Sequence, residues 1–431
     1  MRKRLIALLT TLATLGVGIL IGSRTLSVLG QGMPGMMGFS SAAVPTEKGG
    51  QDVFGGYTVA KDWPKPVSGL PGNEKWTWGA GQGIFAESSN RVFLLERGNL
   101  PNIPRPATKK LDDMGPSLTF PIGRLPWRDA TTASLPANGG SGQLASGGIT
   151  AYQGVVGIDV AWQNCFLVID ANGNIVEDWK QWDNIFKRPH AVYISPYDPE
   201  KKIFVVDDHQ HAIYIFSNDG KQLLKTIGTP SVYGADDKHF NRPTYIDFFP
   251  NGSFVVADGY NGTRVAKFDK DFKFLLDWGK PSTATEKGPG YMNNVHGVAV
   301  DTQTNRVFVN DRGNRRAQVF DENGKYLDEW SFGGPEVDVH TFIITNDHYL
   351  WAVDRGTSKM LKYDLNGHFI YSWGTWGDFP GAFWGVHGIA SDPDGNFYTA
   401  AVDSGGGQKF IPRPNARPET LVGKPVPRVW K

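Results

Sequence analysis

Apolar and polar residues alternate along most of the chain in short runs separated by turns, and the runs come in fours. The clearest set is Asn241–Gly279. An alternating run at Tyr245–Phe249 leads through a Pro-Asn-Gly turn to a second apolar run that ends at Asp258. A third run, RVAKF, and a fourth, FKFLLDW, follow. Period-two alternation rich in β-branched and aromatic residues predicts strands, and Asn/Asp/Gly turns predict antiparallel hairpins. The unit recurs at roughly 40-residue spacing, at 78–99 resumed by 165–179, then 187–228, 241–279, 294–330, 338–374 and 385–412. The turns between third and fourth runs read DANGN, SNDGK, DENGK and DLNGH. Asn-Gly and Asp-Gly supply the positive φ of a two-residue hairpin loop. Fourth runs close on Trp179, Trp278, Trp330 and Trp373, placed to pack between neighbouring sheets.

Six four-stranded units predict an all-β fold, a six-bladed β-propeller of antiparallel blades. The segment 56–64 reads as one more fourth strand, ahead of the first unit. It is expected to complete the last blade, so that the ring closes with no long open edge. A solenoid is the alternative, and it would not need that strand. The propeller is expected to occupy 54–431 as a single domain. A Pro/Gly/Ser-rich insertion at about 100–155 interrupts its first blade, as a lid or a partner-binding arm.

The N-terminus departs from this pattern. Arg2, Lys3 and Arg4 precede a run free of charge from Leu5 to Ser23. Basic residues before an apolar run predict an export signal over 1–30, either cleaved after Gly30 or kept as a membrane-anchor helix. The positive charges put the remainder outside the cytoplasm: periplasmic, secreted or anchored on the outer side of the membrane. Residues 31–53 read as a flexible tether. A net charge of +1 gives no reason to expect nucleic acid. Cys165 is the only cysteine, so no intramolecular disulfide forms.

The array does not need every residue it carries. The position that opens the first strand, which lines the central channel of a propeller, reads Gln82, His190, Thr244, His296, His340 and His387 across the six units. His190, His296 and His387 fall in alternate blades, a third of a turn apart, and converge on the axis. Three histidines with an open fourth position are a usual catalytic zinc set. The bland alternative is a hydrogen-bonding residue suited to a strand entry. His340 breaks the alternation, as a channel-lining group or a substitute ligand. After the second strands stand Glu96, Asp207, Asp258, Asp311 and Asp354, expected to accept backbone N–H bonds in the turn. Arg97, Arg312 and Arg355 follow the acid directly, Asp208 holds that place in the second blade, and Tyr260 follows the acid by two. Guanidinium groups there suit a carboxylate, unless each pairs with a neighbouring blade's acid, and a tyrosine beside a metal suits proton transfer.

At these residues the chain resembles NHL-repeat propellers, and more narrowly the peptidyl-α-hydroxyglycine α-amidating lyases. RPHAVYIS, NRPTYIDFFP, VADGYNGTRVAKF, VHGVAV, VNDRGNRRAQVF and VHGIAS carry the resemblance, over most of 78–412. It implies Zn2+ on His190, His296 and His387, with Tyr260, Arg312 and Arg97 as catalytic residues. The implied reaction cleaves a carbinolamide C–N bond of a peptide or small-molecule substrate bearing a carboxylate, to give an amide and glyoxylate. Ca2+ is put in doubt, because Gly388 stands where the family places an Asp. Two other readings stay open. One is a non-catalytic propeller that binds a protein or small ligand, tethered through the N-terminus; the other is a calcium-dependent lactonase or hydrolase.

Overall fold

The computed structural model describes residues 50–102, 108–110, 119–121 and 160–430. The expected signal or anchor segment 1–30, most of the expected tether and most of the insertion lie outside these residues. Among the described residues no helix is long and apolar enough to cross a membrane.

Six four-stranded antiparallel sheets form, one from each predicted unit. Their innermost strands are Gly81–Ser88, Pro189–Ile194, Pro243–Phe248, Val295–Asp301, Val339–Ile344 and Val386–Ser391, in blades 1 to 6. Each packs against the innermost strands of both neighbouring blades, so the ring is closed. Tyr57–Val59 pairs with Gly407–Pro412 as the outermost strand of blade 6, so the two ends of the array share one sheet. The end of the tether is also fixed. Gly50 and Gln51 donate to Gly374 and Ser372 along the edge of blade 5.

The tryptophans explain why the hairpin turns repeat so closely. Trp179, Trp278 and Trp330 lie against Gly220, Gly324 and Gly367, the turn glycines of the following blade. These glycines have φ of 69°, 81° and 84°. A side chain there would be strained and would also strike the indole, at 2.3, 2.8 and 2.6 Å from a Cβ. One residue thus serves the turn within a blade and the packing between blades.

The recurring acids are structural, as their turn position indicates. Asp207 accepts from the backbone N–H groups of Lys187 and Arg188, Asp258 from Asn241, Asp311 from Asn293 and Asp354 from Asp338. Each acid holds the segment that enters its own blade's innermost strand. Every innermost strand then bulges by one residue, between Gly81 and Gly83, Pro189 and Ala191, Pro243 and Ile246, Val295 and Gly297, Val339 and Thr341, and Val386 and Gly388. A bulge re-aims the extra residue out of the ladder. The residue so released is Gln82, His190, His296, His340 or His387, and in blade 3 the Thr244–Tyr245 pair.

At its other end the channel holds a cavity of about 120 Å3, lined mainly by apolar residues of the innermost strands and by Pro425, Val426 and Arg428 near the C-terminus. Asp247 also lines it and accepts from Phe248 and Val300 N–H groups at 2.8 and 2.7 Å. Burial outweighs these bonds and pushes its carboxyl up to about 7. The folded pKa lies above the unfolded one, so its contribution to stability is full below about pH 4 and is lost as pH rises through about 7. Asp247→Asn does not titrate. The melting temperature of Asp247→Asn relative to wild type is therefore expected to rise between pH 5 and pH 8; a pH-independent difference would refute this assignment.

Candidate functional site

Three of the bulge residues meet on the axis. His190, His296 and His387 are 0, 0 and 2% exposed, and one ring nitrogen from each lies within 4.8 Å of the others. Their orientation is fixed by the intervening blades. His190 Nδ1 donates to the Thr244 carbonyl at 3.0 Å, His296 Nδ1 to that of His340 at 2.6 Å, and His387 Nδ1 to that of Gln82 at 2.8 Å. A carbonyl only accepts, so each Nδ1 carries the proton and each Nε2 is left bare. Blades 1, 3 and 5 thus orient the histidines of blades 6, 2 and 4. Asn310 binds the Val339 and His340 carbonyls at 2.8 and 3.1 Å, fixing the acceptor that aims His296.

This donor set fits a zinc ion. The three rings are neutral, because burial, one another and nearby arginines hold their pKa well below the ordinary range. His387 Nε2 is buried without a hydrogen-bond partner. Nδ1–H bonds to carbonyls are the usual outer support of metal-bound histidine. Calcium, a hard ion that takes oxygen ligands, finds no carboxylate in this set. At Gly388 a Cβ would stand 2.8 Å from the Gln82 carbonyl, so the backbone leaves no room for the expected Asp.

Tyr260 reaches the same point. Its hydroxyl lies 2.7 Å from His296 Nε2 and 3.3 Å from His190 Nε2. Gly259 allows this approach: a Cβ there would overlap the Val295 carbonyl at 1.4 Å. Arg97 is buried and donates to the Gln82 side chain. Burial, with Arg188 alongside, lowers its guanidinium to about 9. Arg312 binds Asp338 through two bonds of 2.6 and 2.9 Å and donates to His340 Nε2 at 3.0 Å. That bond occupies His340 Nε2, and His340 joins the ring of side chains but not the close set of three. Arg355 is farther out, paired with Asp403 at 2.7 Å.

Several further side chains adjoin the site without standing in the repeated channel or turn positions. Tyr245, on the blade 3 bulge, donates to the His387 carbonyl at 2.7 Å and packs its ring against His190, forming a floor beneath the histidines. Arg188 and Arg242 come from blades 2 and 3 and both gather on Asp208. Burial alone would raise the Asp208 carboxyl, but Arg188 and Arg242 hold it well below the usual carboxylate range. A signal was present: Arg188-Pro189 and Arg242-Pro243 stand immediately before the channel position in adjacent blades.

Fold and side chains together define a six-bladed β-propeller that gathers three histidines at one end of its channel. Residues 293–374, which span blades 4 and 5, match the family model described as a 6-bladed beta-propeller. The chain is 30% identical over 166 residues to the peptidyl-glycine alpha-amidating monooxygenase of Mus musculus, which covers 38% of this chain and 16% of that protein. It is 29% identical over 168 residues to peptidyl-alpha-hydroxyglycine alpha-amidating lyase 1 of Drosophila melanogaster, covering 37% of this chain and 30% of that one. NHL repeat-containing protein 3 of Mus musculus is 29% identical over 160 residues, 35% of this chain and 44% of its own length. The matched part is thus less than half of each relative.

Proposed function

We propose that the chain is an exported, zinc-dependent lyase that cleaves the carbinolamide C–N bond of an N-acyl-α-hydroxyglycine, giving an amide and glyoxylate. The observation that carries this reading is the Tyr260 hydroxyl lying against the bare Nε2 atoms of two of three convergent histidines. The amidating relatives support it. His190, His296 and His387 would hold the zinc, which when bound supplies Lewis-acid polarisation of a coordinated oxygen.

The reaction moves one proton and breaks one bond. The carbinol O–H gives up its proton, the O–H pair becomes the aldehyde C=O, and the C–N pair leaves on the amide nitrogen, which is protonated. Tyr260 is positioned to relay that proton: its hydroxyl gives its own proton to the leaving nitrogen as its oxygen takes the one released by the carbinol. Negative charge developing on its oxygen is met by the Arg242 and Arg188 guanidinium carbons, 4.4 and 5.8 Å from the ring centroid. Arg312 and Arg97 add fixed positive charge around the same point. Buried walls and the Tyr245 floor exclude water from the reacting atoms. The basic and apolar 1–30 segment supports export.

The test is direct. Purified protein incubated with an α-hydroxyglycyl peptide is expected to release glyoxylate and the peptide amide in equal amounts, and chelation is expected to stop it. Release at the spontaneous rate, with or without zinc, would leave the protein a non-catalytic binding propeller.

A further inference from the structure

Apart from Arg97, which binds the Gln82 side chain, the arginines around Tyr260 divide into two groups with different charge balance. On the blade 4 to 6 side two guanidinium groups meet two carboxylates: Arg312 binds Asp338, and Arg355 binds Asp403 closely and Asp338 at 3.8 Å. On the blade 2 and 3 side two guanidinium groups share one. Arg242 gives Nε and Nη2 to the same Asp208 oxygen, at 2.9 and 2.5 Å. Its Nη1 is buried without a hydrogen-bond partner, on a residue 1% exposed. Arg188 lies 3.5 Å from the other Asp208 oxygen and donates to His209 Nε2 at 3.1 Å. A nitrogen that accepts is unprotonated, so His209 adds no charge, and the cluster of Arg188, Arg242, Asp208 and His209 holds one positive charge in excess.

Such an excess, buried with an unused donor, is costly unless an anion completes it. Guanidinium is also the side chain best shaped to take a carboxylate. Both arginines lie on Tyr260, so an anion there stands next to the hydroxyl and the histidines. Arg312 already has both oxygens of Asp338, and none of its nitrogens is among the buried ones without a partner.

We propose that Arg188 and Arg242 form the subsite that receives the substrate's carboxylate, which restricts the site to substrates whose hydroxyl-bearing carbon also carries an acid group. The identity of that substrate rests on the lyase reading; the anion subsite does not. Arg312 then acts as a positioning residue, holding His340 and a fixed charge.

Calorimetric titration of glycolate into the chelator-treated full chain tests the subsite without any signal from metal. Wild type is expected to bind, and Arg188→Gln to bind about tenfold more weakly, the loss of one charge-assisted hydrogen bond. Arg242→Lys, which keeps the charge on Asp208 but removes the unused Nη1 donor, is expected to do the same with its fold intact by circular dichroism. Arg312→Gln is expected to lose less than either. With the hydroxyglycyl peptide, Arg188→Gln is expected to raise KM more than it lowers kcat. No glycolate binding by wild type, unchanged binding by Arg188→Gln, or the largest loss in Arg312→Gln would overturn the proposal. If instead wild type lacks zinc and releases no glyoxylate while Arg188→Gln still loses glycolate, the subsite stands and the lyase reading falls.

Discussion

Protein purified without chelator is expected to carry one zinc per chain, and His296→Ala to carry almost none. The expectation follows from how each ligand is held. Three bare Nε2 atoms already face one point, and the bonds that aim them come from backbone carbonyls that do not move independently of the sheet. Preformed ligands lose little entropy on binding. Sharing a structural zinc affinity of about 10–16 kcal/mol among its ligands gives roughly 3 kcal/mol each, so removing one weakens binding at least about a hundredfold. Glyoxylate release should fall to the spontaneous rate in the same variant. Asn310→Ala leaves all three ligands and loses only the bonds to the Val339 and His340 carbonyls, so about tenfold weaker zinc is expected. His340→Ala should keep its zinc, because its Nε2 is engaged by Arg312. Elemental analysis of the four proteins decides the matter. A metal-free wild type would remove zinc from the mechanism, and a metal-free His340→Ala would mean that the ligand set is wrong.

The histidine set was legible because the fold repeats and the site does not. Once six units are aligned on their turns and tryptophans, one column stands out in which a strand opens on histidine instead of an apolar residue. The bulge in every innermost strand gives that column its meaning, since it turns the residue out of the ladder and toward the axis. A bulge leaves no mark of its own in composition, so the column was readable while the device was not. The acids after the second strands were legible for the opposite reason: a carboxylate at a fixed place in a tight turn has backbone N–H groups within reach in any blade.

What the sequence withheld depends on contacts between blades. Arg188 and Arg242 look like ordinary entry residues, and only the ring brings both to Asp208. Tyr245 follows a threonine in an unremarkable strand, yet its hydroxyl reaches across the channel to blade 6. Asp338 enters the site through Arg312 of the blade before it. The pairings of Arg242, Tyr245 and Arg312 cross from one blade to another, and no local periodicity encodes them. Arg312 shows the consequence: the aligned turns put an arginine at the channel, and only the fold supplies the acid that engages it.

Tyr260→Phe is expected to lower kcat by about 10²–10⁴-fold, the usual contribution of a positioned proton-transfer group, while zinc content and glycolate affinity stay near wild type. The substitution is narrow. Phenylalanine keeps the ring beneath the Arg242 guanidinium and against the edges of His190 and His296, so packing and the cation–π contact persist. Only the oxygen is lost, together with its approaches of 2.7 and 3.3 Å to the histidine nitrogens. Those approaches set the two interpretations apart. If the hydroxyl merely fills space at an otherwise metal-bound site, its removal leaves the rate within about threefold, or RT ln 3 in the barrier. If it carries the proton from carbinol oxygen to amide nitrogen, the rate falls while KM for the peptide moves little, because the carboxylate is held by other side chains. A loss confined to KM would assign Tyr260 to substrate binding and leave the proton transfer to a group outside this hydroxyl. Glyoxylate progress curves at saturating peptide, read beside zinc analysis of the same preparation, separate the outcomes.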